Sequence, residues 1–190
     1  EVRWAISYAI DRQKLVDVAL PATGYVAKTF WSPIYYGVLG KFIPWDLLAK
    51  WNFSEYNPQK SIELLEGLGF TRGSDGIFVT PNGTRLSFLY HSWDGQSDRM
   101  IQPMIVDMLK EVGIELEVKF IQGPQYWPMR AQGDYEFFRD FECGATTDPY
   151  DGWVHFSNEN MEPRGVRGGL NRWRWNNTDC LLYTYPSPRD

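Results

Sequence analysis

Across residues 56–121 the apolar and polar positions follow two periods, and the changes from one to the other divide the stretch into elements. Ile62, Leu65 and Leu68 recur at helical spacing, Leu64 widens their stripe, and Glu63 and Glu66 fall on the other side. Asn57 is placed to cap this helix, Pro58 occupies its first position, and Gly69 supplies the left-handed residue that ends it. Residues 76–80 and 84–90 have strand character, and Pro81-Asn82-Gly83 between them is turn chemistry, so a hairpin is expected. In its second strand Leu86, Phe88 and Tyr90 share one face, with Ser87 and Leu89 on the other. A second amphipathic helix is predicted over residues 97–112, with Ile101, Met104, Ile105, Met108, Leu109 and Val112 as its apolar stripe. Pro103 is expected in or near the first turn, because deeper inside it removes a backbone hydrogen bond. Past Gly113, Ile114, Leu116, Val118 and Phe120 alternate with Glu115, Glu117 and Lys119, the pattern of a half-buried strand. Strand, helix and strand with a tight glycine exit form a βαβ unit, with parallel strands and a right-handed crossover. The fold class is α/β, a two-layer lobe.

The flanking regions extend this lobe. Residues 1–20 read as two short helices in series. Val2, Ala5, Ile6, Ala9 and Ile10 share a face of the first; Asp11 caps the second, which carries Leu15, Val16 and Ala19 and stops before Pro21. Residues 21–57 are irregular and rich in glycine, proline and aromatics, with a short helix expected over 43–51. We read this part as a strap over the lobe, stuck down by Trp31, Trp45 and Trp51. Beyond the central block, residues 125–132 suit a short helix limited by Pro128, and residues 135–141 suit a further strand. Three loops, 91–95, 122–127 and 143–153, then follow three strands, and each carries a tryptophan: Trp93, Trp127 and Trp153. In open α/β sheets ligands collect at the carboxyl ends of strands. A tryptophan there offers an apolar face for a sugar ring or a peptide side chain. Ordinary packing is the competing reading for each ring, since 16% of the chain is aromatic.

Composition narrows the chemistry. The chain has 190 residues, 43% of them apolar, enough for one globular core. Its net charge of −5 argues against nucleic acid as a partner. No run of about 18 apolar residues offers a membrane-spanning helix. The two histidines, His91 and His155, read as surface residues in preference to a metal pair. No nucleophile, zinc or phosphate-loop motif is present, and no feature selects a catalytic pair among the carboxylates. Nothing in these features points to catalytic residues, a cofactor or a metal, and an enzyme is disfavoured. Residues 180–190, CLLYTYPSPRD, differ only at Tyr185 from CLLYTSPSPRD, one reading frame of a widely used transposase sequencing adapter. We read them as a non-native tail on a truncated frame. That leaves Cys143 as the sole genuine cysteine, a small packed residue with no disulfide partner in the chain.

The ordered wording is more specific than its periods. A helix opening on Asn57-Pro58, Leu64-Leu65 before Gly69-Phe70, a turn at Asn82-Gly83, and a long helix ending Leu109-Lys110-Glu111-Val112-Gly113-Ile114-Glu115 resemble solute-binding protein family 5. The opening EVRWAISYAIDRQKLVDVAL and the run Gly133-Asp134-Tyr135-Glu136 are similar to the family's patterns as well. These are extracytoplasmic receptors of ABC importers for peptides, nickel complexes and some oligosaccharides. The resemblance covers residues 1–151. It implies a periplasmic-binding-protein-like (class II) lobe, with a mixed sheet flanked by helices. It also implies that residues 1–179 are a partial C-terminal lobe, with the first lobe and the export signal outside this chain.

Further expectations rest on that resemblance. The ligand is an oligosaccharide or oligopeptide held in an interlobe cleft, the partners are the importer's permease subunits, and the location is periplasmic or extracellular and lipid-anchored. The implied ligand-binding residues are Trp93, Trp127, Thr146, Asp148, Trp153, Arg167 and Trp173. Peptide receptors of the family carry an Asp four residues before a Pro in the third loop, where it pairs with the ligand's amino terminus. Here Ala145 stands four before Pro149, Glu142 replaces the family's Trp, and Asp148 directly precedes the Pro. That departure leans toward a neutral ligand such as an oligosaccharide. Arg164, Arg167, Arg172 and Arg174 in the next loop either bond ligand hydroxyls or a carboxylate, or are solvated. Two alternatives stand beside the importer reading: a ligand-sensing domain of a regulator, and a glycoside hydrolase.

Overall fold

A computed structural model describes residues 1–29, 35–50, 52, 54–140, 155, 161–168, 171 and 174. The expectations for Trp31, Trp51, Glu142, Cys143, Ala145, Thr146, Asp148, Pro149, Trp153, Arg172, Trp173 and residues 180–190 lie outside the described residues. The chain opens with α1 (Val2–Ala9) and α2 (Arg12–Ala19). Asp11 caps α2 by accepting from the Lys14 N–H. Next come α3 (Tyr36–Leu39), a 3-10 turn (Gly40–Phe42) and α4 (Trp45–Lys50). Leu39 and Ile43 form a small core of their own there, with Tyr35, Tyr36 and Leu48 against it. Trp45 packs edge-on against Tyr36, donates to Gly40 O and stays 44% exposed. Among the described residues this core is made by the region's own side chains, and Trp45 packs within it.

The central block begins with α5 (Pro58–Gly67), where Asn57 accepts from the Lys60 N–H. Leu65 is fully buried and Ile62 and Leu64 pack beside it, but Leu68 is exposed and Ser61 takes the fourth buried place. Leu68 lies beyond the last helical turn, so the helical period no longer governs where it points. β1 (Thr71–Arg72) pairs antiparallel with β2 (Phe78–Val79). The turn expected at Pro81-Asn82-Gly83 is present, with Gly83 N–H on Thr80 O, but its arms meet only through the Val79–Arg85 bridge. The hairpin ladder instead runs to β1, a two-residue strand too short to leave a period.

β3 (Ser87–Trp93) lies between β4 (Glu115–Ile121) and β5 (Phe137–Phe138) and is parallel to both. α6 (Gln96–Glu111) connects β3 to β4, as expected for a βαβ unit. Pro103 sits inside α6, not in its first turn, so the Arg99 carbonyl loses its helical donor. Gly113 ends the helix turn at φ 86°, and a Cβ there would meet Phe78 Cδ2 at 2.7 Å and Gly76 O at 2.9 Å. One face of the sheet joins Leu86, Tyr90 and Leu116 to Ala5, Ala9, Leu65, Phe78, Ile105, Leu109, Val112 and Ile114 in the main core. α7 (Gly123–Gln132), with Pro128 inside it, follows β4. Its Tyr126 packs on Trp93 and Phe138, which by strand alternation face away from α6. The lobe is thus helices, sheet and helix.

Candidate functional site

The carboxyl ends of β3, β4 and β5 lie together because the three strands are parallel. Trp93 is the last residue of β3 and pairs in register with Ile121, the last of β4. One residue past Ile121 the chain enters α7, so residues 122–127 are its first turns and not a free loop. This carries Tyr126 and Trp127 to Trp93. Ring centroids stand 5.0 Å apart for Trp93–Tyr126, 6.2 Å for Trp93–Trp127 and 5.1 Å for Tyr126–Trp127. Phe138 lies 4.9 Å from Tyr126, and Tyr135 stacks on Phe138 at 4.5 Å. Tyr126 is fully buried, Trp93 half-buried and Trp127 47% exposed, so the cluster has a rooted side and an open one. Such edge-on rings hold one another in place, and the Arg130 guanidinium lies over the Trp127 ring, 5.7 Å from its centroid.

Gly95 lets the backbone hug Trp93, and Gly123 lies in ordinary contact with it. A Cβ on Gly95 would stand 2.9 Å from Trp93 Cδ1 and 3.2 Å from Asp98 Oδ2. Gly123 lies over the far end of the indole, with its ideal Cβ position 3.6 Å from Trp93 Cη2.

Beneath the rings, polar groups bolt the strand ends to the helices on both faces. Asp98, in the first turn of α6, is buried and receives Arg139 Nε at 2.8 Å. Ser92 Oγ lies 3.4 Å from the same Asp98 oxygen and accepts from Gln102 Nε2 at 3.0 Å. On the opposite face Arg130 Nε reaches Asp140 Oδ1 at 2.6 Å, with both side chains nearly buried. Tyr126 donates to Arg139 O at 3.0 Å, and burial, reinforced by Asp140, pushes its phenol up out of the physiological range. Tyr90 is likewise pushed up, to about 12, by burial. Both phenols stay neutral and serve as hydrogen-bonding groups. At the rim Arg99 binds Asp94 at 2.6 Å, which holds the Asp94 carboxyl below its usual range.

Of the expected site residues, Trp93 and Trp127 come together. Arg167 is exposed beside the other end of α7, where Gly168 N–H binds Ala131 O. Among the described arginines of this stretch, Arg174 and Arg164 have structural partners. Arg174 donates to Ala131 O, Gln132 O and Val166 O, so it caps the carboxyl end of α7. Arg164 reaches Asp134 at 3.2 Å. The histidines are not surface residues, since His91 and His155 are each 6% exposed. His91 lies on the α7 side of β3, in register with Lys119 of β4 and Phe138 of β5. Among the described residues no group of His, Cys, Asp and Glu is arranged to hold a metal ion. Sequence reasoning missed Tyr126, Phe138 and the Asp98–Gln102 pair. The i, i+4 spacing of Asp98 and Gln102 on the core side of the long helix was the available signal.

This geometry sits on a fold with known counterparts. Residues 1–162 match the family model for bacterial extracellular solute-binding proteins, family 5 middle. The chain is 32% identical over 143 residues to a probable ABC transporter-binding protein of Deinococcus radiodurans, covering 74% of this chain and 23% of that protein. It is 27% identical over 152 residues to the nickel-binding periplasmic protein of Escherichia coli, covering 78% and 27%. Among solved structures it is similar to the mannohexaose-bound periplasmic oligopeptide-binding protein of an oligopeptide ABC transporter from Thermotoga maritima. That likeness has a TM-score of 0.79 at 23% identity and covers 95% of this chain and 34% of that one. The chain therefore spans about a quarter to a third of the length of these relatives. It belongs to the bacterial extracellular solute-binding proteins of family 5.

Proposed function

We propose that this chain is part of the second lobe of the substrate-binding component of an ABC importer, a non-enzymatic protein that captures an oligosaccharide or oligopeptide in an interlobe cleft. The observation that carries the reading is the aromatic cluster of Trp93, Tyr126 and Trp127 at the carboxyl ends of parallel strands in a family 5 fold. The exposed part of Trp127 at its rim suits the apolar face of a sugar. The Thermotoga oligopeptide-binding protein holds mannohexaose, which supports placing sugars beside peptides as candidates. Thr146, Asp148, Trp153, Arg167 and Trp173 complete the proposed site from the following loops. Ligand bound between two lobes favours their closed arrangement, provided its contacts differ between open and closed forms. The importer's permease subunits then read the closed state. The complete protein is periplasmic or anchored by lipid on the outer side of the membrane, and residues 180–190 are an appended tail with no part in this function.

The test uses the complete protein without that tail, in a thermal-shift panel of di- to penta-saccharides and di- to penta-peptides. A ligand at about 100 times its Kd adds about 2.7 kcal/mol of stability. A shift with sugars alone is the expected result. A shift with peptides alone overturns the sugar preference and directs mutagenesis to Asp148. Release of smaller sugars from the oligosaccharides overturns the binding-protein reading in favour of a glycoside hydrolase.

A further inference from the structure

β4 forms an outer edge of the three-stranded sheet. Its inner side is committed to β3, since Glu115 N–H donates to Leu86 O and Ile121 O accepts from Asp94 N–H. Alternation in a parallel ladder then turns the N–H and C=O groups of Leu116, Val118 and Phe120 outward. The side chains of these same three residues face α6. Together with Pro103 and Val106 of that helix they line an open, mainly apolar groove along the edge. On the other face of the strand, Glu117 and Lys119 are exposed. Among the described residues no strand but β3 pairs with β4, and a long, half-apolar edge of this kind is a template for pairing with another strand.

We propose that β4 is the seam of a symmetric dimer, in which two copies of the strand pair antiparallel about a two-fold axis through Val118. Centring on Val118 places outward N–H groups opposite outward C=O groups along the strand: Val118 meets the partner's Val118, and Leu116 meets the partner's Phe120. The same register sets Glu117 opposite the partner's Lys119, and Lys119 opposite the partner's Glu117. Registers centred one residue to either side oppose Glu117 to itself or Lys119 to itself, and like charges directly opposite are destabilising. The backbone groups allow all three of these registers, and the charge order selects the one centred on Val118. A two-fold axis perpendicular to the sheet keeps both α6 helices on one face, where their exposed Met100 and Pro103 close over the two grooves.

The experiment is sedimentation velocity of the 190-residue chain over a range of concentrations, with circular dichroism to verify folding. We expect a concentration-dependent dimer. Lys119→Glu and Glu117→Lys, both at exposed positions, should each weaken it about tenfold or more, because both cross-strand pairs become repulsive. Mixing the two single variants restores attraction at both pairs and should restore the dimer. The double variant Glu117→Lys/Lys119→Glu should dimerise like the original. A chain that stays monomeric throughout overturns the proposal, whether because β4 pairs with nothing or because another strand of the same chain covers it. Dimers that ignore the single substitutions, or single variants that fail to recombine on mixing, overturn it equally.

Discussion

Trp93 and Trp127 have different duties although they touch. Trp93 is half-buried and wedged between Gly95, Gly123 and Tyr126, so it supports the strand end as well as the proposed ligand. Truncating it to Ala should cost about 2–4 kcal/mol in denaturant unfolding of the complete protein. Trp127→Ala, at an exposed position, should cost less than about 1 kcal/mol. Both variants should weaken ligand binding, and titration followed by fluorescence separates that loss from the loss of stability. His91 predicts a pH effect. Burial pushes its imidazole below the usual range, Lys119 adds to this, and Glu136 and Asp134 oppose it. A histidine whose folded value is lowered contributes its full stability above the unfolded value. That contribution is lost as pH falls through the unfolded value, near 6.5, toward the folded one. The melting temperature should therefore fall from about pH 8 to about pH 5, and His91→Gln should flatten that slope.

Whole elements are joined at the site by two crossed ion pairs. Arg139 and Asp140 are adjacent just past β5, and alternation sends one side chain to α6 and the other to α7. The strand end is thereby tied to both helices that carry the aromatic cluster. Arg139→Met leaves the Asp98 carboxylate buried without its cation and should destabilise by about 3 kcal/mol. Adding Asp98→Asn removes that orphan charge and should recover most of the loss, a comparison that equilibrium unfolding of the single and double variants checks. The βαβ unit has its own tight point at Gly113. Gly113→Ala combines a positive φ with a Cβ pressed onto Phe78 and the Gly76 carbonyl, and should cost about 2–3 kcal/mol.

For the molecule as a whole, the proposed function makes this lobe one wall of a clamp, and the relatives are roughly three times as long as this chain. Affinity in such a clamp comes from contacts made on closure by both lobes. The 190-residue chain should therefore bind its ligand far more weakly than the complete protein does. Parallel isothermal titrations check this, and equal affinities would place the whole site in this lobe.

The helices α1, α2, α5 and α6 and the strand β4 were legible along the chain, because their caps, glycine stops and apolar periods are set by neighbours a few residues away. The short strand β1 was not, since two residues carry no period. Pro103 was placed too early, because tertiary packing of α6 outweighs the one hydrogen bond it removes. The surface reading of His91 fails because a strand residue's burial depends on what lies on each face, and that is a property of the sheet. The sequence likewise put tryptophans after the strands without showing which of them meet. Trp93 and Trp127 lie far apart in the chain and are neighbours because β3 and β4 run parallel in register and α7 starts at once after β4. Local chemistry is enough to make the elements and the family recognisable. The site exists because long-range pairing brings the ends of separate strands to one place, and no local pattern encodes that distance.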